Sequence, residues 1–137
     1  MKELTEQLRN HGLKKTPIRT SILQIFVDRK EALSQNQIEN AMGDFYNRVS
    51  VYRALNDLES SGLIHRIHDA AGTSKFASCK SACSHQHHID KHAHFCCVKC
   101  FSTFCLNEVV VSGIALPAGH VSQEISVLVK GLCQQCA

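Results

Sequence analysis

SVYRALNDLESSGLIHRIHDAAGTSKFA, residues 50–77, changes its period halfway along. In its first half Val51, Leu55 and Leu58 recur at i, i+4 and i+7, the spacing of a helix with one apolar face, and Gly62 sits where such helices end. In its second half Leu63-Ile64-His65-Arg66-Ile67 reads as a strand, Asp69-Ala70-Ala71-Gly72 as a turn and Lys75-Phe76-Ala77 as the returning strand. Upstream the pattern is helical again. Residues 3–10 form a short helix ended by Gly12, and Thr16-Pro17 opens a second, since threonine caps and proline suits the first helical position. Ile18, Ile22, Ile25 and Phe26 follow at helical spacing. Ser34-Gln35-Asn36-Gln37 fits a capping box ahead of Ile38, Ala41 and Met42, and the fourth helix starts near Ser50. Helices that run into a β-hairpin make a winged helix-turn-helix, here residues 1–80.

Beyond residue 80 the composition shifts. The chain has 137 residues, eight cysteines and nine histidines, and all eight cysteines lie between Cys79 and Cys136. Residues 81–91 are polar and irregular, a linker or His-rich loop. Residues 92–137 form a second small unit with strands at His92–Phe95, Phe101–Leu106 and Val121–Lys130. A short helix lies between Asn107 and Ile114, and a turn at Leu116-Pro117-Ala118-Gly119. The class is α+β: a winged-helix domain, then a small α/β domain. A unit of that size buries little surface and calls for staples. The charged start MKELTEQLRNHGLKKTP has no apolar leader core, and no stretch is long and apolar enough to span a membrane. Both point to the cytoplasm, where clustered thiols hold metal or do redox chemistry rather than form a disulfide framework.

The net charge of +3 decides nothing about partners, but its placement says more. Lys2, Arg9, Lys14, Lys15 and Arg19 crowd the first 25 residues against Glu3 and Glu6. That suits a phosphate-facing surface, and equally a solvated helix. If Val51, Leu55 and Leu58 point inward, Ser50, Tyr52, Arg53, Asn56 and Asp57 are left outward. Arginine, asparagine and tyrosine suit base edges and phosphates, so this helix can enter a major groove; an ordinary polar surface is the other reading.

Cys97-Val98-Lys99-Cys100 and Cys133-Gln134-Gln135-Cys136 are paired CxxC motifs. Each forms a tight turn that aims both sulfurs at one ion, and two pairs complete a closed tetrahedral zinc site. Such a site contributes folding energy and leaves no open position for catalysis. A redox CxxC normally stands alone at a helix start, so the pairing favours structural zinc over a dithiol centre or two disulfides. His92-Ala93-His94 puts two imidazoles on one side of a strand. With His65 on the wing strand and Cys79 at its end, His92 and His94 make a second, interdomain site of mixed nitrogen and sulfur donors. That donor set suits zinc better than ferrous iron. His85, His87 and His88 read as a loop first and an auxiliary metal site second, Cys96 as a small buried hydrophobe, and Cys105 as either such a hydrophobe or a further sensor ligand. Cys83 is near enough in sequence to substitute for Cys79. Glu108 and His120 suit either a third site or ordinary surface roles.

GLKKTPIRTSIL, SVYRALNDLESSGLI, HAHFCCVKC, LPAGH and GLCQQC occur in this order over nearly the whole chain. Together they resemble the ferric uptake regulator superfamily, and most closely its zinc uptake regulator branch. The resemblance implies a homodimeric, metal-dependent repressor that binds double-stranded operator DNA. It makes Tyr52 and Arg53 the groove contacts and Lys14 or Lys15 the basic residue ahead of the second helix. It makes Cys97, Cys100, Cys133 and Cys136 the structural zinc ligands and His92 and His94 part of the regulatory site, which would take zinc or ferrous iron. The departures are informative. Iron-responsive members often carry a histidine at the position of Ala32 and a carboxylate near Ala77. Lys91, Ala93 and Ile125 stand where a third site would have ligands, and Phe101 replaces the glycine common after the first CxxC.

These readings predict a regulator, not an enzyme: a zinc-sensing repressor of metal-uptake genes. An iron- or peroxide-responsive regulator is the alternative within the family. A zinc-dependent or thiol-redox enzyme is the alternative from another class, but it needs an open metal position and a nearby acid or base.

Overall fold

The computed structural model describes residues 2–78, 93–106, 114–123 and 127–137. Helix α1 spans Lys2–Asn10, α2 Pro17–Arg29, α3 Gln35–Met42 and α4 Arg48–Ser60, with a 3-10 turn at Gly43–Phe45 before α4. Local chemistry sets these boundaries. The Thr16 side chain accepts from the Arg19 amide with Pro17 at the first helical position, and Ser34 and Gln37 form the complete capping box. Helix α4 begins two residues earlier than Ser50, because the Asn47 side chain caps it by accepting from the Ser50 amide at 2.8 Å.

Strands β1 (Ile64–His68) and β2 (Ser74–Ser78) form the antiparallel wing, with His65 opposite Ala77. Leu4, Leu8, Ile22, Leu23, Phe26, Leu33, Ile38, Val51, Leu55 and Leu58 build one core under the helices, closed by Leu63, Ile64 and Phe76 from the wing. Three further ties fix the wing. Leu33 and Phe76 exchange backbone hydrogen bonds of 2.8 and 2.7 Å. Arg66 Nε donates to Glu59 of α4 at 3.1 Å, and its guanidinium lies 4.9 Å from the centre of the Phe76 ring.

The second unit is a sheet in the order β4-β3-β5: β3 (Ala93–Cys97) pairs antiparallel with β4 (Thr103–Leu106) and parallel with β5 (Leu128–Gly131). It departs from the sequence expectation in three places. Strand β3 runs on to Cys97, and β4 starts only at Thr103 because Phe101 takes a left-handed turn conformation at φ 61°. The last strand is four residues rather than Val121–Lys130; residues 121–123 are unpaired and Val121 is 88% exposed. The expected linker 81–91 and the expected helix over 107–113 lie outside the described residues, so the domain boundary stays an expectation. Gly131 admits the Phe95 ring, which would stand 3.4 Å from any Cβ there. That ring meets Phe104 across β3–β4 with centroids 5.3 Å apart.

Candidate metal centres and nucleic-acid interface

The parallel pairing sets Cys97 beside Gly131, and Val98 N–H donates to Gly131 O at 2.8 Å. Cys133 lies two residues on from Gly131, so the register carries the second CxxC to the first. Each knuckle is a hydrogen-bonded turn: Phe101 N–H reaches Cys97 O at 2.9 Å, and Cys136 N–H reaches Cys133 O at 3.0 Å. The sulfurs of Cys97, Cys100, Cys133 and Cys136 lie within 4.8 Å of one another. Zinc–sulfur bonds of about 2.3 Å at tetrahedral angles place sulfurs roughly 3.8 Å apart. Cys100 Sγ and Cys133 Sγ are 3.8 Å apart, a spacing for shared ligation and far beyond a disulfide bond of about 2.05 Å.

The thiols divide their charge unequally. Backbone hydrogen bonds, first from Cys100 and then from Cys133, hold Cys97 at about 6, well below an ordinary thiol. Cys100 is lowered as well, chiefly by the Ser102 side chain. The Cys133 side chain first, then burial and the Cys97 side chain, push Cys136 up to about 12. Sulfurs packed this closely cannot all ionise against one another; a dication among them lets all four bind as thiolates. The cluster fits a closed structural zinc.

The second cluster joins the two units. His65 comes from β1, while His94 and Cys105 face each other across β3–β4. The Nε2 atoms of His65 and His94 are 2.5 Å apart, with Cys105 Sγ 3.5 Å from His65 Nε2. All three donor atoms lie within 4.8 Å of one another, and among the described residues the cluster holds no carboxylate. Both imidazoles are buried, and beside them Ala32, Ile67, Ala77 and Cys105 pack together. Ala32 and Ala77 are thus small wall residues, and the Ala32 N–H donates to Thr103 O on β4. Cys79 and His92 lie outside the described residues. Cys105, which from sequence suited either a buried hydrophobe or a ligand, is a member of the triad. Cys96 is buried with its sulfur accepting from the Ala70 N–H at 3.2 Å, and His120 is exposed on a loop.

Helix α4 presents Val49, Tyr52, Arg53 and Asn56 on one outward face, at i, i+3, i+4 and i+7. Tyr52 and Arg53 are exposed and Asn56 half-buried, whereas Ser50 is half-buried beside its cap. Lys14 and Lys15 are exposed ahead of α2. Arg19 is committed within the domain: its guanidinium donates to Lys14 O at 2.8 Å and to Asp57 of α4 at 2.9 Å. It fastens the basic loop to α4. Val49, 57% exposed, escapes a sequence reading that starts the helix at Ser50; its spacing to Tyr52 and Arg53 is the signal that finds it.

The sequence model described as the ferric uptake regulator family matches residues 10–115. A ferric uptake regulation protein of Legionella pneumophila is 29% identical over 143 residues, covering 98% of each chain. Among solved structures, holo XcZur superposes with a TM-score of 0.67 at 18% identity, covering 98% of this chain and 97% of the other. A zinc uptake regulator complexed with zinc and DNA superposes at 0.68 with 16% identity, covering 98% of this chain and 90% of the other. At such identities these two structures share the fold with this chain.

Proposed function

The chain belongs to the ferric uptake regulator family of metal-responsive transcription regulators, and on that premise we propose that the metal it senses is zinc. It is a regulator rather than an enzyme. The observation that carries the zinc reading is the donor set His65, His94 and Cys105: two imidazoles and a thiol, walled by Ala32 and Ala77, with no carboxylate among the described residues. Soft sulfur with imidazole nitrogen suits zinc, while carboxylate-containing sets suit ferrous iron. Cys79 and His92, one residue past β2 and one before β3 in sequence, are the proposed further ligands.

Zinc there supplies a crosslink between the wing and the β3–β4 sheet. Such a crosslink selects one orientation of the DNA-binding unit from those available. In that orientation Tyr52, Arg53 and Asn56 enter the major groove of an operator, Ser50 sits at the start of the helix, and Lys14 and Lys15 meet phosphate with Arg19 bracing them. The four cysteines hold a separate structural zinc. A second copy of the chain completes the regulator: Ile114, Leu116, Val121, Val129 and Leu132 are exposed apolar residues of the second unit. The expected outcome is repression of metal-uptake genes in the cytoplasm. Among the described residues no helix is long and apolar enough to cross a membrane.

The second reading is an iron sensor, favoured by the Legionella ferric uptake relative. One titration separates the two. Duplexes are enriched from a random pool by the purified protein, then affinity is read by anisotropy against zinc and ferrous iron in turn. A gain with zinc that His94→Ala abolishes is expected. A gain with iron alone overturns the zinc reading, and no gain with either metal overturns sensing at this site.

A further inference from the structure

Asp69 and Lys75 are both 6% exposed, an unusual place for two charged residues. They flank the wing turn, and their partners are fully assigned. Asp69 Oδ1 accepts from the Ala71 and Thr73 amides at 2.9 Å each, closing the turn. Asp69 Oδ2 stands 3.5 Å from Lys75 Nζ. Lys75 Nζ then leaves the wing altogether and donates to Phe101 O at 2.6 Å. Phe101 directly follows the first CxxC, takes the left-handed conformation, and anchors its own amide on Cys97 O. Its carbonyl also accepts from the buried Thr103 hydroxyl at 3.0 Å. A second contact runs alongside, where the turn's Ala70 N–H donates to the buried Cys96 sulfur next to Cys97.

We propose that Lys75 is a positioning residue that latches the wing onto the Cys97–Cys100 knuckle, so that metal in the four-cysteine site sets the wing's stance towards DNA. Burying an ammonium is costly unless its partners are in place, so the latch has one geometry rather than many. That geometry requires the Phe101 carbonyl to point at the wing, and the knuckle turn is what aims it. On the other side the wing is tied to α4 through Arg66 and Glu59, so its stance reaches the groove helix. The four-cysteine ion therefore has a path to the DNA face that bypasses His65, His94 and Cys105. This rests on the proposals that the four cysteines hold metal and that α4 reads DNA.

The test is full-length, zinc-loaded Lys75→Met, which keeps the bulk and removes the charge. Zinc content and dimer state should match wild type. The Cys96 thiol, shielded by the wing turn, should become alkylated under native conditions, as located by peptide mass spectrometry. DNA affinity should fall on the order of ten-fold, with the salt dependence of binding unchanged. A salt slope smaller by about one would mean that Lys75 touches phosphate directly, and would overturn the latch. Native affinity together with a protected Cys96 overturns it too. Should Lys75→Met fail to fold, Asp69→Asn retains an acceptor for the turn amides and must release Cys96 in the same way. Stripping the four-cysteine metal from wild type should speed hydrogen exchange at the wing-turn amides, residues 70–73. In Lys75→Met they should exchange fast before stripping, and slow exchange there overturns the proposal. If wild type binds no DNA with any metal, the DNA reading fails, while Cys96 protection still decides the latch.

Discussion

The two halves of this molecule are held together by different physics. In the first, buried leucines, isoleucines and phenylalanines from four helices and the wing share one continuous core. In the second, the buried described residues are Ala93, His94, Cys96, Cys97 and Thr103, with no leucine, isoleucine or phenylalanine among them. Burial of a leucine or isoleucine side chain contributes about 1.5–3 kcal/mol, and the first half has many such side chains where the second has none among its described residues. The sulfurs take over that role, since a structural zinc contributes on the order of 10 kcal/mol of binding energy to folding. Exposed apolar side chains divide in the same way. In the first half Phe45, Val49 and Tyr52 gather at the start of α4, and Val27 stands apart; in the second, Val98, Phe101, Ile114, Leu116, Val121, Val129 and Leu132 are spread along the unit. On the proposed function the first group would meet a groove and the second group a second copy.

The contrast breaks most easily by taking the metal away. Cys133→Ser, or a chelator strong enough to empty the four-cysteine site, should abolish the β3–β5 pairing and the dimer. The helices should persist, so that circular dichroism keeps its helical signal while exchange protection over 93–97 and 128–131 disappears. A single melt in which both halves unfold together would show that the core and the sulfurs form one cooperative unit. The reverse experiment is smaller. Leu55 is fully buried at the centre of the helical core, and Leu55→Ala should cost about 2–5 kcal/mol in denaturant unfolding of the first half. Zinc content should stay at the wild-type value. A third change should move neither half's stability: Arg53→Ala at the exposed face of α4 should weaken specific DNA binding by about 1–3 kcal/mol with the melting curve unaltered.

What could be read in advance follows the same divide between local and distant. Thr16-Pro17 and Ser34–Gln37 were legible because a cap is chemistry within four residues. The paired CxxC motifs were legible because their spacing already encodes where the sulfurs point. Cys105 could not be assigned, since its membership of the second cluster depends on the register that sets it opposite His94, and register is a property of two strands. Lys75 looked like an ordinary strand residue, because the carbonyl that buries it lies 26 positions away. Arg19 looked like a free cation for phosphate, because Asp57 reaches it from 38 positions on. The start of the last strand was placed too early: alternation ran through Val121–Lys130, but only Leu128–Gly131 has a neighbour to pair with among the described residues.

Val49 gives the smallest effect and the finest test of the contrast. An apolar side chain 57% exposed beside Tyr52 and Arg53 is out of keeping with a half that buries most of its large aliphatics well. The proposed groove-facing position would account for this, because the one apolar group on the major-groove edge of a base pair is the thymine methyl. Val49→Ala should therefore lower affinity for an enriched duplex by about 1 kcal/mol for each thymine methyl that the shorter side chain no longer reaches, with stability and zinc content unchanged. Deoxyuridine in place of thymidine should weaken wild type by the same amount at one or two positions and leave the Val49→Ala variant indifferent there. Equal sensitivity of both proteins to the missing methyl would remove Val49 from the groove. The exposed apolar cluster at the start of α4 would then belong, like those of the second half, to a contact between protein chains.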